Sequence, residues 1–362
     1  MRKYIPILLF FVMSNASLVA ADLDGTSNLS YQDTSFDFGS GGYARGFVWI
    51  GAGCQANAGA TVIMNVLAPV AGNINLNNTG IISLEGDLPL ASNAYFINGG
   101  VIDGQGKVIS LGGNFTIPRG KTIECTSDTI IDGQGKIFSF ASQSGSTPGG
   151  RLYINGPTGT RVTLRNMHIY GVRSFSNGDA AIDFGSNAGQ TLVLENVTLH
   201  MSNDYIFVGG KLEIGGRVEL RGLYKSSFRP ESERAWFYYT SSENCTIKAN
   251  ATLFVDMTVG FSYSPADNKK THLVFSDASS ELFLNGSTLF VPSNTGLHFL
   301  KGHMVVDHRT QIQSDGVVRV DGASEEIQFG DGVSSSNDFI VDVLPGARLE
   351  VVDALVVYKN HK

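Results

Sequence analysis

The sequence predicts an all-β chain wound as a β-solenoid, a stack of coils built from short parallel strands. Three observations predict it. One motif occurs twice: Val101–Leu111 reads VIDGQGKVISL and Ile130–Phe140 reads IIDGQGKIFSF, with Asp103 and Asp132 29 residues apart. A second pair follows, Val162–Ile169 (VTLRNMHI) and Leu192–Leu199 (LVLENVTL), with Asn166 and Asn196 30 residues apart. Each unit alternates Val, Ile, Leu and Phe with polar residues and turns at a Gly or Asn, which is strand chemistry at the period of a repeat protein. No amphipathic helix with start and stop signals is evident.

The chain opens with a basic Met1-Arg2-Lys3, an apolar run Tyr4–Met13 and a small-residue stretch Ala16–Ala21. Val19 and Ala21 suit the positions before a cut ahead of Asp22, so residues 1–21 are expected to be a secretory signal peptide. The run is too short to span a bilayer, and no later stretch reaches ~18 uninterrupted apolar residues. The expectation is an exported protein, secreted, periplasmic or at the cell surface, with no transmembrane span after cleavage.

The formal charge is −7, and loss of Arg2 and Lys3 with the leader takes it to −9. An acidic, evenly spread balance argues against nucleic acid as a partner. Hydrophobic residues make up 42% and charged residues 16%, enough to bury a large core. The three cysteines, Cys54, Cys125 and Cys245, match neither a zinc site nor a disulfide framework, and are read as small apolar packing residues.

Residues 22–59 are rich in Gly, Ser and Asp and are read as an N-terminal arm or cap. From Ala60 to Lys362 the pattern becomes regular and is read as the solenoid. Strand-like runs include Thr61–Leu67, Gly80–Leu84, Thr116–Cys125, Arg151–Asn155, Leu212–Leu220, Leu282–Val291 and Arg348–Tyr358. Polar or Gly corners separate them, with Pro118-Arg119-Gly120 and Pro345-Gly346 as turn formers. An antiparallel sandwich has no reason to repeat one corner at such a period, whereas stacked coils place equivalent corners above one another at about 4.8 Å. The corners at Asp103 and Asp132 are therefore expected on one edge. Asn166 and Asn196 are expected to form an amide ladder or to act as turn formers. Ile102, Val108, Ile131, Ile137, Leu164, Ile169, Leu194 and Leu199 are expected to point inward.

The two IDGQGK corners and the VTLRNMHI/LVLENVTL pair resemble the pectin-lyase-like right-handed parallel β-helix superfamily. The resemblance is at the level of fold, and such folds carry hydrolases, lyases, adhesins and scaffolds. Polygalacturonase-like members carry Asn-Thr-Asp, Asp-Asp and Gly-His-Gly; this chain has Ser202-Asn203-Asp204, no Asp-Asp, and Gly302-His303-Met304. Pectate-lyase-like members carry a Trp-Ile-Asp-His strand and an Arg-x-Pro-x-x-Arg strand; this chain has Val305-Val306-Asp307-His308 and Arg229-Pro230-Glu231-Ser232-Glu233-Arg234, in the opposite order. No catalytic set is complete, and no catalytic residue is assigned. His298, His303 and His308 fall on alternating sides of a strand, so they are not read as ligands to one metal. No metal or cofactor is expected.

Tyr224–Glu243 (YKSSFRPESERAWFYYTSSE) breaks the repeat and is read in two ways: as a projecting loop whose aromatics face a ligand, or as a stretch in which Trp236, Phe237 and Tyr239 fill the core while the charged residues lie in water. Arg229, Arg234, Trp236, Tyr238 and Tyr239 are the candidate ligand-binding residues. The guanidiniums suit carboxylates and the rings suit stacking on sugars. The expectation is a non-catalytic surface or binding protein, adhesin-like, with a glycan or a host or cell surface as partner. The alternative is a carbohydrate-active enzyme, a polysaccharide lyase or glycoside hydrolase, with an atypical site.

Overall fold

The computed structural model describes residues 80–92, 99–175, 178–187, 189–222, 234–292, 295–314, 326–333 and 338–360, with strand segments and single residues before 80. The leader assigned to 1–21 and the candidate Arg229 lie outside them. Every strand pair among the described residues is parallel, and no helix occurs there. Among the described residues the strands form three main sheets of 13, 7 and 6 strands. Regular pairing reaches back past Ala60: Gly41–Gly46 pairs with Thr61–Val66 at the end of the seven-stranded sheet.

Strands consecutive in the chain enter different sheets and return. Tyr205–Phe207 lies in the six-stranded sheet, Lys211–Gly222 in the largest sheet, Ala235–Tyr239 in the six-stranded sheet again. Four long strands, Thr129–Phe140, Arg161–Val172, Thr191–Met201 and Lys211–Gly222, pair in that order along the largest sheet. Each bends in its middle at a residue with left-handed backbone: Gln134 (φ 49°), Asn166 (54°), Asn196 (54°) and Gly216 (57°). Asn tolerates this conformation better than other residues with a Cβ, which accounts for its use at the corner.

The two asparagines also form the ladder. Asn196 Nδ2 donates to Asn166 Oδ1 at 3.4 Å, and Asn166 Nδ2 donates to Asp132 Oδ1 at 3.2 Å. At the other end, Arg217 N donates to Asn196 Oδ1 at 3.1 Å. The next corner must be Gly216, because a Cβ there would lie 2.1 Å from Asn196 Oδ1.

The two DGQGK corners do not share an edge, contrary to the sequence reading. Strand Gly100–Asp103, which leads into the first, belongs to the seven-stranded sheet; strand Val108–Ser110, which leaves it, belongs to the largest. The second corner lies inside Thr129–Phe140, and Asp132 registers with Ser110. The local conformation is nonetheless the same, with Gln105 and Gly106 at φ 47° and 75° and Gln134 and Gly135 at 49° and 78°. One turn sequence thus serves two different corners.

The same corner explains a second departure. Ile102, Ile131, Leu164, Ile169, Leu194 and Leu199 are buried as expected, but Val108 and Ile137 are only half-buried, while Ile109 and Phe138 point inward. Two consecutive left-handed residues reset the alternation, so inward positions on either side of the turn differ in parity. The inward side chains form one core cluster from Val62 to Phe339. Full burial of each aliphatic or Phe side chain contributes roughly 1.5–3 kcal/mol.

Candidate functional site

The aromatic segment is a strand. Ala235–Tyr239 pairs on one side with Tyr205–Phe207 and on the other with Val259–Tyr263. The projecting loop expected over Tyr224–Glu243 is therefore corrected for its second half; residues 223–233 lie outside the described ones. Alternation along AWFYY sorts its rings into two sets. Phe237 and Tyr239 point inward, and Trp236 and Tyr238 point outward and are half-buried.

Tyr239 is removed from the candidate set by this geometry. It is fully buried at 0% exposure, between Phe207 (centroids 5.6 Å, 14°) and Tyr263 (6.3 Å, 7°). Its hydroxyl donates to the Glu243 carbonyl. Phe237 stacks in the same way on Phe261 at 5.5 Å and 7°. In-register aromatics on successive strands make inner ring columns, and a Tyr there is a core residue with a satisfied hydroxyl.

The outer face carries the remaining rings. Register places Trp236 beside Gly260 and Thr288, and Ile206 beside Tyr238, Ser262 and Phe290. The indole lies over Gly260, where a Cβ would sit 2.4 Å from Trp236 Cε3. It meets Tyr238 at 6.1 Å, tilted 30°, and the edge of Phe290 at 6.1 Å and 76°. Ile206, 41% exposed, continues the apolar patch past Tyr238. The patch therefore has a floor of small residues, Gly260 and Ser262, with rings seated on it.

Polar groups border these rings. The Asp204 Oδ1 accepts from Trp236 N at 2.9 Å, which pins the entry to the strand. Burial, reinforced by the Asp204 charge, raises the Tyr238 phenol pKa, so the hydroxyl stays protonated at neutral pH. Arg234 Nη1 donates to Thr288 Oγ1 at 3.1 Å across the intervening strand, bringing its guanidinium to the edge of the indole row. Of the sequence candidates, Arg234, Trp236 and Tyr238 are thus brought together. Phe290 and Ile206 join them from strands that sequence reasoning did not connect to the site.

A second outward group lies on the largest sheet. His168, Tyr170 and His200 meet there: His168 Nδ1 is 3.3 Å from His200 Nε2, and the Tyr170 and His200 rings stack at 4.0 Å and 6°. Burial, with the nearby His168 and Arg221, pulls the His200 pKa down to about 4. Beside them, Glu219 accepts from both Arg217 and Arg221 at 2.6 Å. Burial opposes ionisation of Glu219, but the two guanidiniums outweigh it and hold its pKa low. Those guanidiniums also lie 4.6 and 5.7 Å from the Phe254 ring centre. Phe254 points outward yet is 7% exposed, so the arginines cover it and this part of the face is closed. A signal for the histidines existed in the sequence: alignment on Asn166 and Asn196 sets Tyr170 opposite His200.

The three histidines considered together in the sequence are dispersed among separate carboxylates. His298 faces Glu326 at 3.8 Å, His308 faces Asp307 at 3.2 Å, and His303 lies between Asp342 (2.9 Å) and Glu281 (3.6 Å). Asp103, at its corner, accepts from Ser127, Ser83 and Gln105 at 2.6–2.9 Å, so its carboxylate is used in holding the turn.

No protein-family model, curated protein or solved structure matches this chain.

Proposed function

We propose that the chain is an exported, non-catalytic β-solenoid, a right-handed parallel β-helix of the pectin-lyase-like kind, that binds glycan on a cell or host surface. Support for the winding comes from three parallel sheets that the chain visits in turn, with in-register repeats and laddered corners. Right-handed crossover is the rule for parallel connections. The basic-apolar leader supports export.

The observation that carries the binding reading is the outer face of Ala235–Tyr239. Trp236 lies on Gly260 with Tyr238, Phe290 and Ile206 on the same side, and Arg234 stands at its edge. A flat, regular surface with seated rings presents π faces to the apolar faces of sugars. A guanidinium beside them favours a carboxylate-bearing sugar.

The test is a glycan array followed by calorimetry on the strongest hit. Trp236→Ala is expected to weaken binding by about 1–3 kcal/mol with little change in thermal midpoint. Tyr239→Ala is expected instead to cost about 3–5 kcal/mol of stability. Absence of glycan binding, or a Trp236→Ala protein that binds as the parent does, would overturn the reading.

A second reading, a carbohydrate-active enzyme, draws on His303 between Glu281 and Asp342 on the largest sheet, because acid–base work on glycosides uses carboxylates of this kind. It requires reducing ends or unsaturated uronates to accumulate from a polysaccharide, and to stop doing so in Glu281→Gln.

A further inference from the structure

The outer face of the largest sheet holds two imidazoles at a chelating distance. They come from neighbouring strands, Arg161–Val172 and Thr191–Met201, whose register opposes His168 to Thr198 and Tyr170 to His200. The histidines therefore meet on a diagonal, with Nδ1 of His168 3.3 Å from Nε2 of His200. Two nitrogens bound to Zn2+ at 2.0–2.1 Å in a tetrahedral array lie about 3.4 Å apart. The observed separation matches that value to within ~0.1 Å, whereas cis positions of a square-planar ion would need about 2.9 Å.

The surroundings hold one ring and leave the other side open. The His200 imidazole is stacked on Tyr170 at 4.0 Å and 6°, which fixes its plane. Both strands leave the left-handed corners Asn166 and Asn196 only a few residues earlier, and these are tied to each other by their side-chain amides. On the next strand Arg221 registers with His200, but its guanidinium is drawn to Glu219 at 2.6 Å and toward the Phe254 ring. Thr198, opposite His168, registers with Glu219. His168 itself is exposed, so the space in front of the pair opens to solvent.

We propose that His168 and His200 form a two-imidazole site for a divalent transition-metal ion of the Zn2+ type, with its remaining positions open to water or an incoming donor. In the metal-free protein the same two nitrogens share one N–H···N hydrogen bond. Binding requires a change of tautomer in the donating ring: each neutral ring then holds its single proton on the nitrogen facing away, Nε2 of His168 and Nδ1 of His200, and both inner lone pairs are free for the metal. No proton is released and no other reactant is needed.

The test titrates Zn2+ into the full chain, free of any histidine tag, by calorimetry in a non-chelating buffer at neutral pH. His168→Ala and His200→Ala are each expected to lower the affinity of one site by about tenfold or more, and His303→Ala to leave that site unchanged. A second readout is the 15N spectrum of the imidazoles, in which Zn2+ must perturb the inner nitrogens of His168 and His200 and leave both rings in the tautomers named above. Both side chains lie outside the core, so metal-free melting of the variants should match the parent. Zn2+ binding that survives both substitutions, absence of heat up to about 1 mM Zn2+, or shifts confined to other histidines would overturn the proposal.

Discussion

Glu213 ties three passes of the chain with one carboxylate. It accepts from both terminal nitrogens of Arg161 at 2.9 and 2.7 Å, and Lys248 Nζ stands 3.0 Å away. The hydrogen-bonded Arg161 guanidinium outweighs burial and, with Lys248, brings the Glu213 pKa down from 4.5 to about 2. Because the folded value lies below the unfolded one, the contribution to stability is whole above about pH 4.5 and is lost as pH falls toward about 2. Both cations are nearly half exposed, so solvent screening limits the size. Glu213→Gln should cost about 1–2 kcal/mol at pH 7. Urea midpoints of parent and variant should converge as pH approaches 2; a gap that persists there would mean that packing, not charge, is lost. Cys125 and Cys245 show the opposite use of a titratable group. Burial, reinforced at Cys125 by the Glu124 charge, pushes both thiols up to about 12, so they act as small apolar side chains.

At the scale of an element, the corner decides which side of the following strand is inside. Across Asp132–Lys136 the inward positions pass from Ile131 to Phe138, an odd step that uninterrupted alternation cannot make. Phe138 is 1% exposed and stacks on Phe115 at 5.2 Å, whereas its neighbour Ile137 is half-buried and its amide is met by Asn114 Oδ1 at 3.1 Å. Phe138→Ala should cost about 3–5 kcal/mol and Ile137→Ala less than about 1 kcal/mol. Chemical denaturation measures both, and equal costs would mean that the phase after the corner is misplaced. The strand Ala235–Tyr239 follows the same logic without a turn. Its five residues include core rings, Phe237 and Tyr239, and outward rings, Trp236 and Tyr238, so a segment dense in aromatics builds a core column and an outward ring face at once.

At the scale of the molecule, each inward residue touches its register partners above and below. Leu164 lies between Ile131 and Leu194 on neighbouring strands, while Leu282 is several strands away in the same sheet. Stability in such an array is nearly a sum of unit and nearest-neighbour terms. A double-mutant cycle on Leu164→Ala and Leu194→Ala should show a coupling of about 0.5–3 kcal/mol. The cycle on Leu164→Ala and Leu282→Ala should be additive within about 0.5 kcal/mol. Strong coupling in the distant pair, measured from urea unfolding, would show that the core responds as one body.

Much of this architecture is local and so legible in the residues. Alternating aliphatics, Gly and Asn at the turns, and a 30-residue return from Asn166 to Asn196 were sufficient to predict strands and corners, but left the asparagines open between an amide ladder and simple turn formers. DGQGK likewise determined its own turn, because left-handed backbone at Gln105–Gly106 and Gln134–Gly135 depends on only those few residues. It did not determine which sheets that turn joins, since identical turns at Asp103 and Asp132 connect to different strands. That choice rests on which hydrophobic faces come into register, and register is a property of pairs of strands far apart in the chain. The candidate sites divide in the same way. Trp236 and Tyr238 were visible as aromatics, but Gly260 beneath them and Phe290 beside them were joined only by pairing. His168 and His200 meet on a diagonal that arises once two passes of the chain are laid side by side. Tertiary structure alone decided between surface and core for Tyr239, because a side chain's face is set by the parity of its strand and the neighbours that bury it, not by its own chemistry.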